Sequence, residues 1–188
     1  MKHTLLAVMF TALALVVPAL FVPGFAAAAT VDKASLDKEV KASLDALNAS
    51  EPGAKALAAQ AKGILVFPTM RKAGFVLGGQ HGDGALIKQG KIVDYYTSNA
   101  VSFGLEAGAQ SFGYALFFMT DDALAKFEKS DGFDLGAEAN VVFVDSGAGA
   151  GAGTTASQAA VYGFVYGQKG LMAGVSLQGT KITKAEAK

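Results

Sequence analysis

The chain has 188 residues, no cysteine, and 16 basic residues against 16 acidic residues. The lack of cysteine excludes disulfide frameworks, cysteine nucleophiles and cysteine-bound zinc sites. The balanced charge gives no basic excess of the kind that attracts nucleic acid, so we expect no nucleic-acid partner.

Residues 1–29 have the pattern of a secretory signal peptide. Lys2 supplies a positive start, residues 5–17 form an apolar stretch, and residues 26–29 are four alanines suited to cleavage. The sequence therefore predicts export, with a mature chain that begins near residue 30. An uncleaved segment that tethers the chain to a membrane is the alternative. Residues 30–188 have the length of a single domain.

Two helices are predicted at the start of the mature chain. Residues 30–50 form the first, with Thr30 or Asp32 as its cap and Glu51-Pro52-Gly53 as its end. Its apolar residues recur at the spacing of one helical face: Leu36, Val40, Leu44 and Leu47. This pattern favours a helix that covers a sheet, and a helix lying in a bilayer interface is the alternative. Residues 54–62, rich in alanine, predict the second helix.

A series of short strands separated by glycine follows. Alternation of apolar and polar residues predicts strands at 64–67, 74–80, 85–88, 92–97, 101–109, 112–119, 137–145, 161–166 and 171–178. Turns are predicted at 82–84, 89–91 and 167–170. Between the strands, residues 120–122 cap a helix that continues to Lys129. The last residues, 181–188, are predicted to be a frayed, charged tail.

Together these elements predict an α+β fold. Because the connections are short, we expect a mainly antiparallel sheet of about nine strands that is closed or folded into a barrel or sandwich. The two N-terminal helices and the one mid-chain helix would cover this sheet. The whole of residues 30–188 would form one domain.

The sequence offers few residues for catalysis or metal binding. His81 is the only histidine after residue 29, and with Asp83 it flanks a glycine turn that we interpret as solvated. Glu106 lies within an apolar strand, where it either faces solvent or pairs with an interior lysine. Residues 147–153 alternate glycine with alanine but lack the Gly-Lys-Ser/Thr ending of a phosphate loop. We expect no enzymatic activity, no metal and no cofactor.

Basic residues in two regions suit an anionic membrane surface. The candidates for lipid binding are Lys33, Lys38, Lys41, Lys62, Arg71 and Lys72. The first three lie on the N-terminal helix, and the last two lie on a predicted loop at 69–72. A guanidinium and an ammonium on one loop can hold a lipid phosphate. Met70 would supply an apolar side chain to the acyl boundary beside them.

Several separated motifs resemble the SYLF domain in the same order. They are Lys62-Gly63-Ile64-Leu65-Val66-Phe67-Pro68, Gly78-Gly79-Gln80-His81-Gly82-Asp83-Gly84-Ala85-Leu86, Phe103-Gly104-Leu105-Glu106-Ala107-Gly108-Ala109-Gln110 and Gln168-Lys169-Gly170-Leu171-Met172-Ala173-Gly174. The resemblance extends over residues 56–182 and is nearest to the exported bacterial branch. The family is named for eukaryotic members that bind phosphoinositide membranes, some of which also bind actin. The resemblance implies lipid binding through the N-terminal helical part and its basic residues, and it implies no enzymatic activity.

We therefore predict a periplasmic, non-enzymatic protein that binds a phospholipid or membrane surface through anionic phosphate headgroups. One alternative is a β-barrel carrier whose interior holds an apolar ligand, since ten of the 13 phenylalanines follow residue 29. A large apolar cavity would support that carrier, and a filled core would contradict it. The other alternative is a structural envelope protein that binds a protein partner through a sheet edge or the glycine-rich segment.

Overall fold

The computed structural model describes residues 32–135, 141–145, 159–170, 177 and 179–185. The elements in these ranges are α1 (Lys33–Ser50), α2 (Pro52–Ala58), β1 (Gly63–Lys88), β2 (Lys91–Phe118), α3 (Asp121–Lys129), β3 (Phe133–Asp134), β4 (Val141–Asp145), β5 (Val161–Gly170) and β6 (Lys181–Lys184). The predicted signal peptide, the glycine-rich segment and most of the strand predicted at 171–178 lie outside the described residues. In the described ranges, no helix combines the length and the apolar character needed to cross a membrane.

Two very long strands, β1 and β2, form an antiparallel ribbon that organises the fold. The prediction of six separate strands here is wrong, because three of them merge into β1 and three into β2. The predicted turn at 89–91 is confirmed. Gln89 and Gly90 have φ values of 50° and 74°, which is the left-handed backbone that a two-residue hairpin turn requires.

Gly82 and Gly84 continue β1, and the turn predicted at 82–84 is wrong. A side chain at Gly82 would collide with Thr69 and Met70, and one at Gly84 would collide with Val66 and Phe67. The second half of β1 therefore lies against its first half. Glycine is needed here because another stretch of backbone approaches closely, and not because the chain reverses.

The sheet has the order β3–β6–β2–β5–β4, with β1 paired along the other edge of β2. All pairings are antiparallel except that between β4 and β5. The sheet is curled into a half-barrel. The predicted α+β class, with a mainly antiparallel folded sheet and N-terminal helices, is confirmed.

Helix α1 covers the outer face of the half-barrel. Asp32 caps it by accepting a hydrogen bond of 3.2 Å from the Ala34 amide. The predicted apolar face packs on the sheet: Leu36, Val40 and Leu47 are buried, and Leu44 is partly buried against the same cluster. The interpretation of α1 as a helix that covers the sheet is confirmed, and its apolar face is not available to a bilayer.

The inner face of the half-barrel holds the aromatic core. The rings of Phe67 and Tyr114 stack with centroids 4.6 Å apart, and the Phe127 ring lies 4.9 Å from Phe118 and 5.2 Å from Phe133. Each of these side chains is at most 2% exposed. In the described part of the interior these side chains pack against one another. The carrier of an apolar ligand stays an alternative.

The remaining elements close one side of the core. Helix α3 is confirmed, with the Thr120 hydroxyl accepting a hydrogen bond from the Ala123 amide at 3.2 Å. The prediction of a frayed tail is wrong for residues 181–184, which form β6 between β2 and β3. The alternation in this segment buries Ile182 in the core, and the Lys184 ammonium lies 2.9 Å from the Asp94 carboxylate.

Candidate phosphate-binding surface

The basic residues predicted to bind lipid lie in separate parts of the molecule. Three are on α1, Lys62 precedes β1, and Arg71 and Lys72 are inside β1. Nine residues along an extended strand separate Lys62 from Arg71, a path of roughly 30 Å at about 3.3 Å per residue. A single phosphate group therefore cannot contact both of them.

Arg71 and Lys72 lie on a strand, so the predicted loop at 69–72 is wrong. Met70, Arg71 and Lys72 pair with Phe112, Ser111 and Gln110 of β2 in that order. Because successive side chains of a strand point to opposite faces, Arg71 is exposed on the outer face and Lys72 is only 4% exposed on the inner face. Lys72 interacts with another group of the chain.

Met70 contributes to the inner core and not to the surface. Its side chain is 0% exposed and packs with Phe67 and Phe112. The expectation that Met70 enters an acyl boundary is therefore wrong. Successive side chains of a strand point to opposite faces, so the exposed Arg71 places its neighbours Met70 and Lys72 on the filled inner face.

A β-bulge decides which of the two cations faces outward. The register of β1 against β2 shifts between Phe67 and Met70, where β1 carries one extra residue. Before the bulge the even-numbered residues Ile64 and Val66 face outward under α1. After it the odd-numbered Arg71 faces outward, because an extra residue exchanges the two faces of a strand.

Arg71, Ser111 and Lys169 form a straight row across three neighbouring strands, which we name the Arg71 row. Arg71 of β1 pairs with Ser111 of β2, and Ser111 pairs on its other side with Lys169 of β5. Residues paired in this way share a face of the sheet. Since neighbouring strands lie about 4.8 Å apart, the Cα atoms of Arg71 and Lys169 are roughly 10 Å apart, with the serine hydroxyl between them.

A second bulge places Lys169 in this row. The register of β5 against β2 shifts between Ser111 and Gly113, and Gly167 at that point has a φ of 63°. Glycine adopts this left-handed backbone without strain, as bulges require. The row therefore depends on one bulge in β1 and another in β5.

Both cations of the Arg71 row are exposed, and among the described residues neither forms an ion pair. Lys62, Lys88 and Lys184, in contrast, each lie within 4 Å of a carboxylate. Two exposed cations beside a hydroxyl group form a site that attracts an anion. The arrangement presents up to eight N–H donors and one O–H donor to it.

Tyr166 separates the Arg71 row from helix α1. It pairs with Gly113, two residues along β2 from Ser111. The Ser43 hydroxyl of α1 donates a hydrogen bond of 2.9 Å to the Tyr166 hydroxyl. Burial raises the pKa of Tyr166 to about 12, although the Ser43 hydrogen bond acts in the opposite direction. The phenol is therefore neutral at physiological pH and adds no negative charge beside the cations.

The second half of the chain matches a known protein family. Residues 99–188 match the family model Ysc84, described as Las17-binding protein actin regulator. This model is that of the Ysc84, or SYLF, domain. The predicted resemblance to the SYLF-domain family is thereby confirmed. No curated protein matches the chain.

The Ysc84 match includes two of the three members of the Arg71 row. Ser111 and Lys169 lie within residues 99–188, and Arg71 lies before them. Sequence reasoning identified Arg71 but missed Ser111 and Lys169. The turn predicted at 167–170 is wrong, because these residues continue β5. The signal of the true position of Lys169 is Gly167, which lies where the register of β5 shifts.

The lysines of α1 differ in their surroundings. The Lys33 ammonium lies over the Tyr95 ring, 5.3 Å from its centroid, and the Tyr95 hydroxyl donates a hydrogen bond of 2.8 Å to Asp37. Burial raises the pKa of Tyr95, with Asp37 acting in the same direction. Lys38 and Lys41 are exposed on the helix. Only these last two present their charge fully to solvent.

Lys62 belongs to a different feature, a cleft where the end of α2, the β1–β2 turn and α3 meet. We name it the α3 cleft; its volume is about 710 Å³. Two ion pairs cross its rim. The Lys62 ammonium lies 3.9 Å from the Asp121 carboxylate, and the Lys88 ammonium lies 2.9 Å from the Glu128 carboxylate.

His81 and Asp83 lie on the outer face of β1, and their predicted position in a turn is wrong. His81 Nδ1 is 2.8 Å from Asn99 Oδ1, and Asp83 accepts a hydrogen bond of 2.8 Å from the Thr97 hydroxyl. Each of these contacts joins residues that are directly paired across β1 and β2. Both side chains therefore have a structural role in holding the ribbon together.

Proposed function

We propose that this protein is a non-enzymatic binding protein of the bacterial envelope that contacts phosphate headgroups at a membrane surface. The observation that carries the proposal is the Arg71 row, where two exposed cations that form no ion pair with the described residues flank a hydroxyl on a sheet. Arginine presents a planar fork of N–H donors to a phosphate, and lysine adds a mobile point charge. The serine hydroxyl completes the site as a short-range donor.

The surface around the Arg71 row supports contact with a flat partner. Ala73 and Ala109 form the next pair on the outer face, and both are exposed. Their short side chains allow the two longer cations to stand out from the sheet. A membrane plane can therefore reach the guanidinium and the ammonium without displacing bulky neighbours.

The family supports binding in preference to catalysis. The matching family is described by a binding activity and not by a reaction. Export rests on the predicted signal peptide at residues 1–29, which is the reason to propose the bacterial envelope as the location. Lys38 and Lys41 on α1 would add a weaker, long-range attraction to an anionic surface.

Vesicle flotation of the chain from residue 30 onward tests the proposal. We expect flotation with anionic phosphatidylglycerol vesicles at low salt and little flotation with neutral phosphatidylcholine vesicles. Flotation with the anionic vesicles should weaken at high salt, because exposed charges are screened over about 8 Å at physiological ionic strength. Arg71→Ala and Lys169→Ala should each reduce flotation. Lys91→Ala is the matched control, because Lys91 is exposed on β2 at the other end of the ribbon.

The result that would overturn the proposal is an absence of flotation with anionic vesicles at low salt. Equal losses in Arg71→Ala and Lys91→Ala would instead show a general charge effect without a site at the Arg71 row. A protein partner is the second candidate, since the family description names the binding of a protein. In that case the Arg71 row would bind a protein, and mutating it would not change flotation with vesicles of any lipid composition.

A further inference from the structure

The α3 cleft has a shape and a charge pattern that the Arg71 row does not explain. Its floor is apolar, with Ile64 and Ile87 only 7% and 8% exposed and Leu124 beside them. Its rim carries two cations and two anions. A cleft of about 710 Å³ lies within the range of small-molecule sites.

The two ion pairs on the rim are not equivalent. Lys88 donates hydrogen bonds of 2.9 and 3.2 Å to both carboxylate oxygens of Glu128, so this pair is closed. Lys62 and Asp121 are 3.9 Å apart, beyond hydrogen-bond distance, and their side chains are 48% and 84% exposed. Lys62 therefore keeps N–H donors for a ligand, and Asp121 keeps acceptor oxygens.

The position of the open pair is fixed by rigid elements. Asp121 and Glu128 are seven residues apart on α3, so two helical turns, or roughly 10 Å, separate them on one side of the helix. The Lys62 amide donates a hydrogen bond of 2.8 Å to the Phe118 carbonyl, which holds the start of β1. The closed Lys88–Glu128 pair joins the turn of the ribbon to α3 and maintains the far wall of the cleft.

We propose that the α3 cleft binds the headgroup of a zwitterionic aminophospholipid of the phosphatidylethanolamine type. The phosphate would contact the Lys62 ammonium, and the primary ammonium of the ligand would donate hydrogen bonds to the Asp121 carboxylate. Neither a purely anionic nor a purely cationic ligand matches a rim on which both charges are present in equal number. The inference rests on the proposed function in that the ligand is a membrane lipid, but it uses residues far from the Arg71 row.

The apolar floor favours an intact lipid over the free headgroup. Below the rim, the small exposed parts of Ile64, Ile87 and Leu124 offer an apolar contact to the glycerol that links headgroup and acyl chains, which the free headgroup cannot use. A choline headgroup has no N–H donor for Asp121, so phosphatidylcholine is the matched lipid control. Its net charge is the same, and only the hydrogen-bonding capacity of the nitrogen differs.

Flotation with two neutral vesicle compositions tests the inference. Phosphatidylcholine vesicles are compared with equal mixtures of phosphatidylcholine and phosphatidylethanolamine at the same low salt concentration, because neither composition carries a net charge. We expect the mixed vesicles to bind roughly threefold to fivefold better, as one partly exposed charged contact allows. Asp121→Asn and Lys62→Gln should each remove the difference, and Asp122→Asn, an exposed neighbour outside the cleft, should keep it.

The outcomes separate this inference from the proposed function. If Arg71→Ala loses flotation with phosphatidylglycerol but keeps the phosphatidylethanolamine preference, the two sites are independent, as we expect. If wild type floats with phosphatidylglycerol and shows no phosphatidylethanolamine preference, the inference is overturned and the proposed function stands. If soluble glycerophosphoethanolamine abolishes the preference at the same concentration as the lipid, the apolar floor contributes nothing and the membrane source is wrong. Far-ultraviolet circular dichroism checks that each variant is folded.

Discussion

The two faces of the β1–β2 ribbon differ in what covers them. The inner face packs against α3, β3 and β6, and its aromatic rings contact one another directly. The outer face is covered by α1 and α2 over only part of its area, and beyond Tyr166 it carries the exposed Arg71 row. Both faces therefore contain a buried core, and the uncovered part of the outer face is available for binding.

Arg71 and Lys72 show this difference at neighbouring positions. Both are basic and both were predicted to bind lipid, but one is exposed and the other is 4% exposed. A long cationic side chain is rarely buried in a protein core without a polar contact, and Lys72 has one within the chain. The comparison teaches that charge along the sequence does not identify the binding face until the bulges of the ribbon are known.

The largest expected effect comes from the centre of the inner face. Phe127 is 1% exposed, and its ring contacts those of Tyr96, Phe118 and Phe133. Phe127→Ala should lower the free energy of unfolding by about 3 to 5 kcal/mol, measured by denaturant titration. Leu44→Ala on the outer face, where the leucine is only partly buried, should cost clearly less. An equal loss in the two variants would contradict the deeper burial of Phe127.

Arg71 and Lys72 provide the sharpest test of the difference between the two faces of the ribbon. Lys72→Ala should lower the free energy of unfolding by about 1 to 3 kcal/mol, because it removes a buried side chain and its polar contact. Arg71→Ala should change it by less than about 0.5 kcal/mol, as exposed substitutions usually do. Flotation with anionic vesicles should show the reverse order, with a loss in Arg71→Ala alone. The comparison fails if both variants lose the same stability and the same binding.

The helices and the type of sheet could be predicted from the sequence because their signals are local. Each helix cap, at Asp32 and Thr120, depends on residues a few positions away in the sequence. The same is true of the hairpin turn at Gln89 and Gly90. The length of the ribbon could not be predicted, because Gly82 and Gly84 have the composition of a turn. What keeps them in the strand is the approach of Val66–Met70, which is distant in sequence.

The candidate site could be predicted only in part. Whether odd or even positions of a strand face outward changes at each bulge. Arg71 was identified by its charge, but one extra residue between Phe67 and Met70 decides that it faces outward. Extending the alternation of Ile64 and Val66 would have placed Lys72 on the outer face instead. Lys169 depends on a second bulge, and Ser111 has no chemical signal of its own. Periodicity in sequence cannot reveal a bulge whose partner strand is unknown.

Among the variants that remove a contact, the smallest expected loss of stability lies at the border between the covered and uncovered parts of the outer face. Ser43→Ala removes the hydrogen bond from α1 to Tyr166 and should lower the free energy of unfolding by about 0.5 to 1 kcal/mol at neutral pH, since part of the phenol can bond to water. Because the folded-state pKa of Tyr166 is about 12, above its ordinary value of 10, stability from this group is fully present below pH 10 and is lost as the pH rises from 10 to 12.

Ser43→Ala should also increase the loss of stability at alkaline pH. The Ser43 hydrogen bond favours the phenolate, so without it the pKa of Tyr166 rises further and the loss of stability above pH 10 becomes larger. Tyrosinate absorbance combined with denaturant unfolding at neutral and alkaline pH measures both quantities, with Tyr166→Phe as the control that removes this titration. A lower pKa in Ser43→Ala would show that α1 does not contact Tyr166 in solution, and the border of the Arg71 row would then lie elsewhere.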